Sequence, residues 1–305
     1  MTKQIIYIGN PVHLYLENEQ LIVRVKETGE EVSFPIEDLG AIEIDHAQTT
    51  LTAACLRKLM EKCVSVVVTD ERHMPSGLML PMVGHTLQQK HGKAQAEATR
   101  PFHKQIWQQT VAAKINNQAA VLEMLGKRCK ELEYLAKNVK SGDPQNLEGQ
   151  AAKIYWNALM GSDFKRERDG EFPNALFNYA YSIIRSLVAR ALVSAGLHPG
   201  LGVFHRNQYN PFALADDVME PFRPIADLWA LKRYNAHPQP RELDLDDKRH
   251  FWYLPEVPVR AEDEQKRLAT AVSRAATSLA RFYLGETKNI VYPAPCTSIL
   301  TESCG

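Results

Sequence analysis

VSVVVTDERHMPSGLMLPMVGHTLQQKHGKAQ, residues 64–95, is where the chain changes character. VSVVVTD is a run of β-branched residues closed by Asp70, the pattern of a buried strand. The turn MPSG and the apolar LMLPM follow it. Beyond Pro81 the short apolar runs stop, and from Gln88 the residues are polar and basic. Two differently built parts therefore meet within this stretch.

Toward the N-terminus the spacing is that of strands. IIYIG, HLYLE, LIVRV, EVSFPI and AIEID are short and rich in β-branched and aromatic residues. Gly9-Asn10-Pro11, Glu17-Asn18-Glu19-Gln20 and Thr28-Gly29 are turn signals between them, so hairpins packed as a small sandwich are expected. One helix interrupts them in TTLTAACLRKLMEKC, with Leu51, Ala54, Cys55 and Leu59 on one face and a threonine cap at its start.

Toward the C-terminus the period becomes helical. FHKQIWQQTVAAKINNQAAVLEML aligns Ile106, Val111, Ile115, Ala119 and Leu122, and KRCKELEYLAKNVK extends or follows it. Asp143-Pro144 is a helix start, and Ala152, Tyr155, Trp156 and Leu159 share the next helical face. Asn174 to Ala195 reads as a long apolar helix stopped by Gly196. Asn210-Pro211 restarts a helix, residues 235–262 read as mostly loop, EQKRLATAVSRAATSLARFYLG as a final helix, and PAPCTSILTESCG as a mobile tail. The expected fold class is α+β: a small β-rich, sandwich-like domain over 1–85, a linker over 86–100, and a larger all-α domain over 101–305.

Whole-chain charge is +0 and identifies no partner, but its distribution does. Residues 1–85 hold 7 Lys/Arg against 12 Asp/Glu, and residues 86–140 hold 10 against 4. That middle segment, with Lys90, Lys93, Arg100, Lys104 and Lys114, suits a polyanion or is a solvated helix face. Cys55, Cys63, Cys129, Cys296 and Cys304 form no CxxC pair, and MTKQIIYIGN lacks a secretory pattern, so reduced thiols and a cytoplasmic location are expected. The longest apolar stretch, 173–195, carries Arg185 and Arg190, so no membrane association is expected.

HRNQYNPFALADDVMEPFRP, residues 205–224, brings His205 close to Asp216, Asp217 and Glu220. Hard divalent ions take carboxylate oxygens, and Mn²⁺ also takes imidazole. On one helix Glu220 shares a face with either Asp216 or Asp217, and spacing does not choose between them. Glu148, in NLEGQAAKIYWNAL, sits in the first turns of its helix, beside a glycine that permits close backbone approach. A small-phosphoester hydrolase and a non-catalytic DNA scaffold with capping acids fit the same residues. Asn178, Tyr179 and Tyr181 fit core packing or support of a nearby site, and His46 and His73 read as structural.

LEGQAAKIYW, NALFNYAYSIIRSLVARALVSAGLHPGLGVFH and FALADDVMEPFRPIAD together resemble the three blocks of the CRISPR-associated spacer-integration endonuclease. This is the first-numbered Cas adaptation family, in the compact form found beside single-effector (type II) systems. The resemblance spans nearly the whole chain. It implies Glu148, His205 and Glu220 as ligands of Mg²⁺ or Mn²⁺, with Asp217 as an auxiliary acid. Many relatives carry Asp where this chain has Glu220. It also implies metal-dependent DNA cleavage and spacer insertion by transesterification, a homodimer formed through the β-rich domain, and assembly with the second Cas protein. DNA contacts are expected from Lys165, Arg166, Arg168, Asn178 and Tyr181.

Overall fold

The computed structural model describes residues 4–71, 75–168, 170–205 and 207–302; His73 and Cys304 lie outside them. The chain divides into two compact units, Met1–Thr86 and Leu87–Gly305.

The first unit contains β1 (Gln4–Ile8), β2 (Val12–Glu17), β3 (Gln20–Val25), β4 (Glu31–Pro35), β5 (Leu39–Ile44), β6 (Thr50–Leu51), α1 (Ala53–Glu61), β7 (Ser65–Thr69) and β8 (Pro75–Met79). They make two four-stranded sheets, ordered β4-β3-β2-β6 and β1-β5-β7-β8. Only the first is built mainly of hairpins. In the second, β1, β5 and β7 run parallel, because the segments between them, β2 to β4 and then β6 with α1, are long enough to return the chain to the same end. β5 and most of β7 are buried, as a sheet covered on both faces requires. Leu14, Leu21, Ile36, Ile42, Leu59 and Val64 are among the residues of the core.

Thr50-Leu51 pairs with β2, so α1 starts later than the run of threonines suggests, with Thr52 as cap. The Thr52 hydroxyl accepts from the Cys55 N–H at 3.2 Å. Thr52→Ala is expected to cost this unit about 1 kcal/mol in urea denaturation, with Thr52→Ser close to wild type.

The second unit contains α2 (Gln88–Ala96), α3 (Arg100–Met124), α4 (Lys130–Asn138), α5 (Leu147–Met160), α6 (Asn174–Ser194), α7 (Ala213–Met219), α8 (Arg223–Ala236), α9 (Leu245–Trp252), β9 (Pro258–Ala261), β10 (Glu264–Arg267), α10 (Leu268–Tyr283), β11 (Ala294–Pro295) and α11 (Ser298–Thr301). Helices α3, α6, α8 and α10 bury one another's apolar faces. Four expectations are corrected here. The 86–100 segment is not a plain linker: α2 buries His91 and Gln95, and Gln95 donates to the carbonyls of His198 and Leu201. Residues 235–262 hold α9, started by a capping box between Asp244 and Asp247 in which Asp stands where Glu or Gln is usual. The unit is not purely helical, since EQKR forms β10 in a β10-β9-β11 sheet. The tail is docked: β11 pairs with β9, Ile299 is buried, and Asn117 and Lys232 donate to tail carbonyls.

Candidate active site

Four local structures deliver the site. Helix α5 begins where Asn146, in left-handed conformation, caps the Gly149 N–H. Asp143 accepts from the Leu147 and Glu148 N–H groups, which fixes the first turn and places Glu148 in it. Asp143-Pro144 thus precedes the helix by one turn, and the space beside Gly149 belongs to the Asn146 side chain, not to another backbone. Pro221 ends α7, and a 3-10 turn over Glu220–Phe222 joins it to α8. Asn117 on α3 donates to the Pro221 carbonyl at 2.7 Å and pins that turn.

The loop 199–205 is tied to α7 through the Leu214 N–H, which donates to the Pro199 carbonyl. A side chain at Gly202 would strike the His205 carbonyl and Ala213, so only glycine allows the loop this close. The Asp217 carboxylate accepts from the N–H groups of Val203, Phe204 and His205 at 2.6, 2.9 and 3.1 Å. It also meets His205 Nδ1 at 2.6 Å. This bond holds the His205 imidazole above its ordinary pKa and commits Nδ1 to Asp217. Asp216 points elsewhere: Arg185 donates to both its oxygens at 2.6 and 2.8 Å. Asp217 therefore lies beside His205, and Asp216 on Arg185.

Glu148 and Glu220 converge on one atom. Lys114 Nζ lies 2.6 Å from Glu148 Oε1 and 2.5 Å from Glu220 Oε2. Arg223 Nη1 lies 3.1 Å from Glu220 Oε1. Burial would raise the Glu220 carboxyl, but Arg223 and Lys114 outweigh it and hold it below the usual range. Burial would likewise lower Lys114, and Glu220 and Glu148 keep it above its ordinary value. The solvated-face reading therefore does not hold for Lys114, which is buried. Its position on the stripe with Val111, Ile115 and Gln118 was the signal, since a lysine on a buried face needs partners.

Among the described residues, no three His, Cys, Asp or Glu side chains stand close enough to hold a metal ion. The parts fit one nonetheless. Two carboxylates from different helices already converge on a single cation, and Asp217 sets the His205 tautomer that metal-bound histidines use. The O, O, N donor set suits Mg²⁺ or Mn²⁺.

Around this centre, Arg166 donates to Asn178 Oδ1 at 2.7 Å and lies over the Tyr181 ring at 4.9 Å. Arg223 lies over the same ring at 4.8 Å, and the Tyr181 hydroxyl donates to the buried Asp227 at 2.6 Å. Burial pushes the Asp227 carboxyl up to about 6. Arg166, Asn178 and Tyr181 thus form one packed group, whereas Lys165 and Arg168 are exposed. Arg223 and Asp227 escaped sequence reading because nothing in their spacing marks them. On the other side, Phe204 stacks on buried Trp107 at 4.2 Å. An open cleft of about 480 Å³ beside His205 is lined by Gln95, Arg100, His103, Asn207 and Asn210, among others.

Carboxylates paired with cations, and an oriented histidine lining an open polar cleft, are the parts used by enzymes that process phosphodiesters. The family model described as CRISPR associated protein Cas1 matches residues 6–242. The chain is 37% identical over 280 residues to the CRISPR-associated endonuclease Cas1 of Neisseria meningitidis serogroup C (strain 8013), covering 91% of each. Its fold is similar to that of a casposase bound to integration product, with TM-score 0.75, 20% identity, and 95% of this chain and 92% of that one covered. It is also similar to a Cas6-RT-Cas1–Cas2 complex chain, with TM-score 0.71, 21% identity, and 96% and 36% covered. The chain belongs to the Cas1 family of CRISPR-associated proteins. No helix among the described residues is long and apolar enough to cross a membrane.

Proposed function

We propose that this chain is a divalent-metal-dependent DNA endonuclease and integrase that inserts spacer DNA into a CRISPR array in the cytoplasm. The observation that carries the site is the convergence of Glu148 and Glu220 on one cation, beside a histidine oriented by Asp217. Mg²⁺ or Mn²⁺ held by Glu148, His205 and Glu220 would neutralise charge on the phosphodiester and acidify the attacking 3′-hydroxyl, or water in cleavage.

The chain's own residues supply the rest. Asp217 keeps the Nδ1 proton of His205 in place. Lys114 and Arg223 offset the charge of Glu148 and Glu220 and hold the two carboxylates in place. The open cleft, with Arg100 on its rim, suits an extended polymer better than a small phosphoester, which favours DNA over the small-substrate reading. Exposed Lys165 and Arg168 would add salt-dependent phosphate contacts, while Arg166, Asn178 and Tyr181 would brace the wall behind them. Family membership and the likeness to the casposase and Cas6-RT-Cas1–Cas2 structures support double-stranded DNA and the second Cas protein as partners. A homodimer formed through the β-rich unit completes the reading.

The test is cleavage of a branched duplex by the chelator-treated protein. Mn²⁺ is expected to restore activity by about 10³-fold over the chelated sample. DNA bound without any metal-dependent cleavage would leave a non-catalytic scaffold instead.

A further inference from the structure

The charge at the centre of the site is already balanced by the chain itself. Lys114 and Arg223 offset Glu148 and Glu220, and both oxygens of Glu220 are in use, Oε1 by Arg223 and Oε2 by Lys114. The Glu220 side chain is 3% exposed and that of Lys114 9%. Buried carboxylates without a counter-charge are costly, so a cation at this point stabilises the fold. A divalent ion on these carboxylates would meet an ammonium already within hydrogen-bond distance of both.

We infer that Lys114 is an internal placeholder cation: it holds Glu148 and Glu220 together in the metal-free protein, competes with the divalent ion for them, and must release at least one when the ion binds. The inference rests on the reading of Glu148 and Glu220 as metal ligands. The two cations are not equivalent. Lysine is a compact charge on a flexible four-carbon stem and can swing away, whereas the Arg223 guanidinium is held at Glu220 and over Tyr181. A nearby DNA phosphate is an anion that could receive the freed ammonium. DNA and metal binding would then strengthen each other, and linkage makes that coupling reciprocal.

The experiment is calorimetric titration of MnCl2 into chelator-treated full-length protein, comparing wild type, Lys114→Met and Lys114→Arg. Lys114→Met is expected to bind Mn²⁺ at least about tenfold more tightly than wild type, because the competitor is gone, and Lys114→Arg to remain weak. Equal or weaker binding by Lys114→Met, with wild-type binding measurable, would overturn the placeholder role while leaving the metal site standing. Absence of Mn²⁺ binding in both proteins would remove the metal-ligand reading, and the placeholder with it. A wild-type crystal soaked in MnCl2 gives an answer that does not depend on how the variant folds. Lys114 Nζ drawn away from either carboxylate supports the inference; Nζ still bonded to both, with the ion present, overturns it.

Discussion

Glu220→Gln is expected to lose both activity and stability, whereas His205→Ala loses activity alone. Glu220 is enclosed, with Lys114 on one oxygen and Arg223 on the other. Neutralising it leaves buried Lys114 and part-buried Arg223 with only Glu148 to offset them. Removing one member of a buried ionic network costs about 3–5 kcal/mol, because the surviving charges keep their desolvation penalty. In a unit of this size that lowers the melting temperature by roughly 10 °C. The His205 side chain is 43% exposed, so truncating it opens no cavity. Its loss is felt at Asp217, which keeps its three backbone donors. Both variants are expected to lower Mn²⁺-dependent DNA cleavage severely, since each removes a proposed metal ligand. Thermal melting beside a cleavage assay separates them. A Glu220→Gln protein that melts like wild type would show that the Lys114–Glu220–Arg223 network does not hold the helices together.

The second large effect is in acid. His250 on α9 stacks on Trp229 of α8 at 4.3 Å, and its Nε2 lies 3.0 Å from the Trp229 carbonyl. The Trp229 indole donates to the His250 carbonyl at 2.8 Å. Burial pulls the His250 imidazole down to about 4, against an ordinary 6.5. Between those values the unfolded chain's His250 binds a proton that the folded chain's does not, so this group's contribution to stability rises with pH. Asp227, raised to about 6, contributes the opposite slope in both wild type and a His250 variant. The His250 contribution is complete above pH 6.5 and is lost as pH falls toward 4, about 3 kcal/mol in all. Asp247 does not confuse the window: burial would raise its carboxyl, but Arg241 and Arg233 hold it at about 2. Urea denaturation at pH 7 and pH 4.5 is expected to show His250→Gln losing about 2–3 kcal/mol less than wild type on acidification. Identical losses would place the acid sensitivity elsewhere.

Much of the architecture was legible because local pattern and fold agreed. The strands before residue 80 and the long helices after residue 100 follow from period-2 and period-3.6 spacing. Misreadings fell where a short element is stabilised by distant partners. β10 was read as helix because EQKR has no β-character, and it is a strand only because β9 lies beside it. The tail carries loop residues, yet donors on α3 and α8 anchor it. Helix α9 starts with Asp in place of the usual Glu or Gln, and it is held by Asp247 accepting from Arg233 and Arg241.

At the site, the sequence by itself determined the residue types that chemistry needs: two glutamates and a histidine in three blocks that resemble one family. It could not set their relations. That Asp217 and not Asp216 orients His205 depends on which side of α7 faces the 199–205 loop, and Gly202 permits that approach. That Lys114 is a centre of the site and not a surface charge depends on α3 passing between α5 and the turn after α7. Charge pairing between residues 34 and 106 positions apart leaves no local period to read. Only the packing of the helices brings the ammonium and the two carboxylates within reach, and the cost of burying any of them alone keeps them together.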